Sequence, residues 1–191
     1  YVYQIEKERA GSYQIEVLAK SKEHEVPITL RFQELRDEQM QPAHGELPFF
    51  LQENTVIQFL QYPYEQVVAE NFVEILEKME LINDLSCYEE IYGILKKEAL
   101  DGRKVEQQII EIGTKRELFF GKDRLDTVLH YKDYTYMKRK WTAYLKRERK
   151  KEPDWVEVMT LLEAFFPPVW RAIIRDEIFI GDWMPELCRF L

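Results

Sequence analysis

Alternation of apolar and polar positions dominates the first sixty residues, and repeats three and four apart dominate the remainder. YVYQIE and SYQIEVLA are rich in β-branched and aromatic residues, and Ala10-Gly11 lies between them, which predicts a hairpin. EVPITLRF predicts a third strand, with Pro27 pointing to an edge position or a strand start. RDEQMQPAHGELP reads as a loop, and NTVIQFL as a fourth strand or the entry to the helices.

The period changes at Pro63, which suits a helix's first turn. Val68, Phe72, Ile75, Leu76 and Met79 recur at i, i+4, i+7, i+8 and i+11, one face of a helix. A second helix is predicted over about 87–98, with Tyr88, Ile91, Tyr92 and Leu95 inward, and Gly102 ends the connection after it. A third is predicted over about 103–112 on Val105, Ile109 and Ile112, and the signal is mixed around 123–136. A basic helix follows and ends before Pro153. DWVEVMTLLEAFF then forms an amphipathic helix, with Trp155, Met159, Leu162 and Phe166 on one stripe, that Pro167-Pro168 stops. The expected fold class is α+β, with short antiparallel strands over residues 1–62 and a helical bundle over 63–191.

Charge adds a polarity to this picture. The chain of 191 residues carries 27 Lys+Arg against 35 Asp+Glu, a net charge of −8. The stretch from Lys132 to Lys151 is +7, which leaves −15 for the remainder. An acidic body repels polyanions, so only this local patch attracts one. No apolar run approaches the roughly 20 residues of a membrane span, and no secretory leader pattern is present. Cys87 and Cys188 form no CxxC, and His24, His44 and His130 no metal-binding spacing, which fits a cytoplasmic protein with two free thiols. The chain opens at Tyr1 directly into a strand pattern, which reads as the later part of a longer protein.

Three stretches carry candidate chemistry. In the basic helix, Met137, Trp141, Tyr144 and Leu145 share one face and turn Lys138, Arg139, Lys140, Lys146, Arg147 and Lys150 toward solvent. That face is either a solvated surface or a site for RNA or an acidic protein; Trp141 and Tyr144 sit on the apolar stripe, so phosphate pairing is favoured over base stacking. Glu16, between Ile15 and Val17, is either solvent-facing or a metal carboxylate whose partners come from elsewhere. Glu70, Glu74 and Glu77, with Asp84, Glu89 and Glu90, are either the wet side of amphipathic helices or a cation site; Glu74 and Lys78 also stand as an i,i+4 pair. No Asp-x-Asp, glycine-rich phosphate loop, GxSxG or HExxH occurs.

YEQVVAENFVEILEKMELINDLSCYEEIYGIL resembles the middle of the AbiEii abortive-infection family of nucleotidyltransferases, the toxin half of certain bacterial toxin–antitoxin pairs. Ala69-Glu70 and EILEK match its helix motif, Asn83-Asp84 stands where Arg-Asp is expected, and Glu90-Ile91-Tyr92 where a second Asp and its apolar partners are expected. KWTAYL and FFPPVW are similar in kind and spacing to later family helices, and YQIEVL resembles its last catalytic-domain strand, with Glu16 at the third metal-site carboxylate. The resemblance implies that the strands end a nucleotidyltransferase-like sheet. It assigns Glu16, Asp84 and Glu90 to catalysis, Glu16 to a metal, and Glu70, Asn71 and Lys78 to cofactor binding. It further implies Mg²⁺ and an NTP as cofactors, an acceptor such as tRNA, and an antitoxin partner. The chain departs from the pattern at Asn71, where the family has Lys, and at Asn83, where it has Arg; the family's Gly-Ser and paired aspartates would precede Tyr1. The lost lysine removes a cation that neutralises triphosphate charge. The alternative is a non-catalytic α+β interaction module that binds RNA or an acidic protein through residues 132–151.

Overall fold

The computed structural model describes residues 3–9, 12–21, 24–33, 42–48 and 55–191. Its contacts divide the chain into two units, Tyr1–Gln41 and Pro42–Leu191. The protein is mixed α+β, with six α-helices and short antiparallel strands among the described residues.

The first unit is an antiparallel sheet of β1 (Tyr3–Arg9), β2 (Ser12–Ser21) and β3 (His24–Gln33), with β2 in the middle. The turn expected at Ala10-Gly11 lies outside the described residues. Pro27 pairs with Leu18 on β3, an edge strand. Such a strand leaves half of its backbone groups outside the ladder, so a residue without an N–H is tolerated there.

The second unit begins with a hairpin of β4 (Ala43–Pro48) and β5 (Val56–Gln61), registered from Ala43↔Gln61 to Pro48↔Val56. Residues 43–48, expected as loop, are therefore a strand. AHGELP has little strand propensity of its own. Gly45 pairs with Phe59, and a Cβ at Gly45 would stand 2.7 Å from that ring, so the missing side chain makes room for the partner.

The bundle comprises α1 (Tyr64–Lys78), α2 (Ser86–Leu95), α3 (Gly102–Lys115), α4 (Lys122–His130), α5 (Thr135–Arg147) and α6 (Trp155–Arg175). A 3₁₀ turn at Met79–Leu81 follows α1. The periodic residues of α1 to α3 are buried, apart from Met79 and Tyr92, which are half-buried. The connection after α2 ends at Gly102, the first residue of α3; the Asp101 carboxylate caps that helix by accepting the Arg103 and Lys104 N–H groups at 3.0 and 3.2 Å. A small sheet of β6 (Leu100–Asp101), β7 (Asp182–Met184) and β8 (Arg189–Phe190) closes one part of the unit.

Helix α6 corrects one expectation, because it continues through Pro167 and Pro168 to Arg175. The prolines remove the N–H groups that would bond the carbonyls of Glu163 and Ala164, and both of those residues face water. Packing outweighs the lost bonds. Phe166 stacks on Phe72 with ring centroids 3.6 Å apart, Phe165 meets Trp183 at 5.0 Å, and Val169 and Trp170 continue the buried stripe beyond the prolines.

Candidate nucleic-acid interface

Helix α5 is built as its periodicity predicts. Met137, Trp141, Tyr144 and Leu145 are buried, and Lys146 and Arg147 complement the negative end of the helix dipole in its last turn. The helix ends with Arg149 at φ 57, where the Arg149 and Lys150 N–H groups bond the carbonyls of Lys146 and Leu145 at 3.2 and 2.9 Å. Trp141 Nε1 donates to the Pro153 carbonyl at 2.9 Å, which fixes the returning chain beneath the helix.

The cations around this helix divide into two groups. Several hold the helix in place. Lys140 Nζ donates to the carbonyls of Glu80, at 3.1 Å, and of Ile82. Lys150 Nζ reaches Glu89 at 2.5 Å, and Lys132 Nζ reaches Glu163 at 2.8 Å. Arg147 pairs with Glu148 at 3.0 Å and lies over the Tyr144 ring. Tyr131 donates to Glu80 at 2.7 Å, and that bond holds the Glu80 carboxyl below its ordinary range. Burial first, and then a hydrogen bond to a carboxylate, pushes the Tyr131 and Tyr144 hydroxyls well up.

The other group faces outward. Thr135, Lys138, Arg139, Thr142, Ala143 and Lys146 line an open hollow of about 350 Å³ along α5. Among the described residues, Arg139 and Lys146 have no ion-pair partner, and Lys138 reaches only the exposed Asp133, at 3.6 Å. Small side chains at Thr142 and Ala143 let a ligand approach the helix between these cations.

The acidic residues are engaged elsewhere. In the N-terminal unit Glu16 is exposed on β2 between Gln4 and Thr29 in register, and accepts from Gln14 at 3.4 Å. In the helical unit Glu74 pairs with Lys78 at 2.6 Å, and Glu77 with Arg116 at 3.6 Å. Asp84 accepts the Ser86 N–H at 3.0 Å and so starts α2. Glu90 accepts from Asn71 Nδ2 at 2.9 Å, and Glu70 is half-buried on α1. Among the described residues no three His, Cys, Asp or Glu side chains gather where a metal ion could be held. The described side chains do not by themselves fit the Mg²⁺ that the resemblance implies. Cys87 is buried, and its thiol is pushed up by that burial and by Glu74, so it is a core residue rather than a nucleophile.

Two residues that the sequence reading did not single out belong with the outward face. Tyr134 and Tyr136 are 47% and 48% exposed, with ring centroids 5.8 Å apart. Helical spacing carried the signal, since Tyr136 lies three residues before Arg139 and seven before Ala143. No helix among the described residues is long and apolar enough to cross a membrane. A scan against protein-family models and searches of curated proteins and of solved structures found no match to this chain.

Proposed function

We propose that this chain forms the end of the sheet and the helical lobe of an AbiEii-like nucleotidyltransferase, whose reaction moves a nucleotide from an NTP to an RNA acceptor such as tRNA. The observation that carries this reading is the contact of Asn71 with Glu90, at 2.9 Å. These are the two places where the resemblance expects Lys and Asp, and they lie 19 residues apart in the chain. The Asn71 donor is two bonds shorter than a lysine's and the Glu90 acceptor one methylene longer than an aspartate's, and their contact joins α1 to α2 at these two motif positions. In this reading α5 lies toward the acceptor and the carboxylate pair for the metals lies outside the described residues. The test is calorimetric titration of the full-length protein with Mg²⁺ and each NTP, followed by transfer of labelled nucleotide to total RNA. Binding and label transfer are expected; no NTP binding in the presence of Mg²⁺ ends the reading.

A second reading, a non-catalytic α+β module that holds RNA or an acidic protein, is favoured by the outward face of α5. There Lys138, Arg139 and Lys146 surround small residues, and none of the buried stripe is available. Anion binding without NTP binding separates this reading from the first.

A further inference from the structure

We infer that the start of α5 is a stacking platform for unpaired RNA, with bases against Tyr134 and Tyr136 and phosphates along Lys138, Arg139 and Lys146. The inference deepens the RNA-binding part of the reading above and rests on it. Trp141 and Tyr144 are buried, so the aromatics that first suggest stacking cannot perform it. Tyr134 and Tyr136 can, because about half of each is exposed beside the cationic face.

Each ring has a packed neighbour before any ligand arrives. Tyr131 lies 6.0 Å from Tyr134, and its hydroxyl is anchored on Glu80. Lys140 sits 5.2 Å from the centroid of the Tyr136 ring while its ammonium is bound to the carbonyls of Glu80 and Ile82. A ring with packed neighbours loses less rotamer entropy than a free one when a base stacks on it. Arg139, Ala143 and Lys146 follow Tyr136 at three, seven and ten residues, so cations continue from the rings along the same side of the helix. An acidic peptide would satisfy the cations but has no π-face for the tyrosines. Duplex RNA would meet the cations with its bases already stacked. Single strands use both features.

The test measures fluorescence anisotropy of the full chain with an unstructured labelled RNA and with the same sequence as a duplex, across a salt series. The single strand should bind more tightly. Tyr134→Ala with Tyr136→Ala should weaken it about tenfold and leave the salt slope unchanged, whereas Phe at both positions should retain affinity. Arg139→Glu with Lys146→Glu should weaken binding and lower the salt slope by about 2. Circular dichroism establishes that each variant folds. Photo-crosslinking of thiouridine-labelled RNA to the unaltered protein, read by mass spectrometry, should mark Tyr134 or Tyr136. Equal affinity for duplex and single strand, no response to the alanine pair, tighter binding of a glutamate-rich peptide, or no RNA binding overturns the proposal. RNA binding with these responses but no NTP uptake retires the transferase reading and keeps the platform; nucleotide transfer that ignores the tyrosines does the reverse.

Discussion

Lys150 Nζ and Glu89 Oε1 lie 2.5 Å apart, and the other oxygen of that carboxylate accepts the Tyr144 hydroxyl, also at 2.5 Å. One acid on α2 thus receives two donors from α5 and its exit, 55 and 61 residues away in sequence. The bonds are charge-assisted, and the Glu89 side chain is only 22% exposed, so the pairing outweighs an ordinary surface ion pair. Glu89→Gln should cost about 1–2 kcal/mol, seen as a melting temperature lower by several degrees. In a double-mutant cycle with Tyr144→Phe, an additive outcome would mean that the two side chains do not interact.

The cations of the basic segment should separate by role. Lys140→Ala should lower stability, because the carbonyls of Glu80 and Ile82 lose their donor. Arg139→Ala and Lys146→Ala should leave the melting temperature within experimental error, since neither has an ion-pair partner among the described residues. Thermal melts of the three variants check this, and equal destabilisation would contradict the division.

Several helices end on a side chain with positive φ: Met79 after α1 at 51°, Asp176 after α6 at 55°, and the exposed Glu117 after α3 at 54° and Arg149 after α5 at 57°. A Cβ in this left-handed conformation is unfavourable, and glycine relieves it. Glu117→Gly and Arg149→Gly should each stabilise by roughly 0.5–1 kcal/mol. Denaturant midpoints should rise with an unchanged slope.

The pH dependence has two opposite arms. Glu80 has a folded value below its ordinary 4.5, so its contribution is complete above that value and fades as pH falls through the lowered one. Tyr131→Phe, which removes the bond, should therefore lower the melting temperature more at pH 7 than at pH 3. Tyr88, Tyr92, Tyr131 and Tyr144 have folded values above their ordinary 10.0. Their contribution is complete below that value and is lost as pH rises through the raised ones. Ultraviolet titration should show these four tyrosines resisting ionisation near pH 10 in the folded protein and ionising there in denaturant.

The helical faces of the second unit were legible because burial repeats with the helix period; Val105, Ile109 and Ile112, or Met137, Trp141 and Leu145, need no knowledge of their partners. What local pattern misses is set by distant groups. β4 becomes a strand because β5 pairs with it, and α6 passes two prolines because Phe72 and Trp183 pack against it. Lys140 and Lys150 look like solvated cations until α2 and the 3₁₀ turn are brought beside them. The candidate site was half legible in the same sense. The outward row of Lys138, Arg139 and Lys146 follows from spacing alone. The exposure of Tyr134 and Tyr136, beside a buried Trp141, depends on where the helix sits.

All four tryptophans, Trp141, Trp155, Trp170 and Trp183, are buried, and all belong to Pro42–Leu191. Three of them donate their indole N–H to main-chain carbonyls, of Pro153, Tyr131 and Leu95. Indole emission is consequently an optical label on the helical part alone, blind to Tyr1–Gln41. A melt followed by indole emission therefore reports the unfolding of Pro42–Leu191 and not that of the N-terminal sheet.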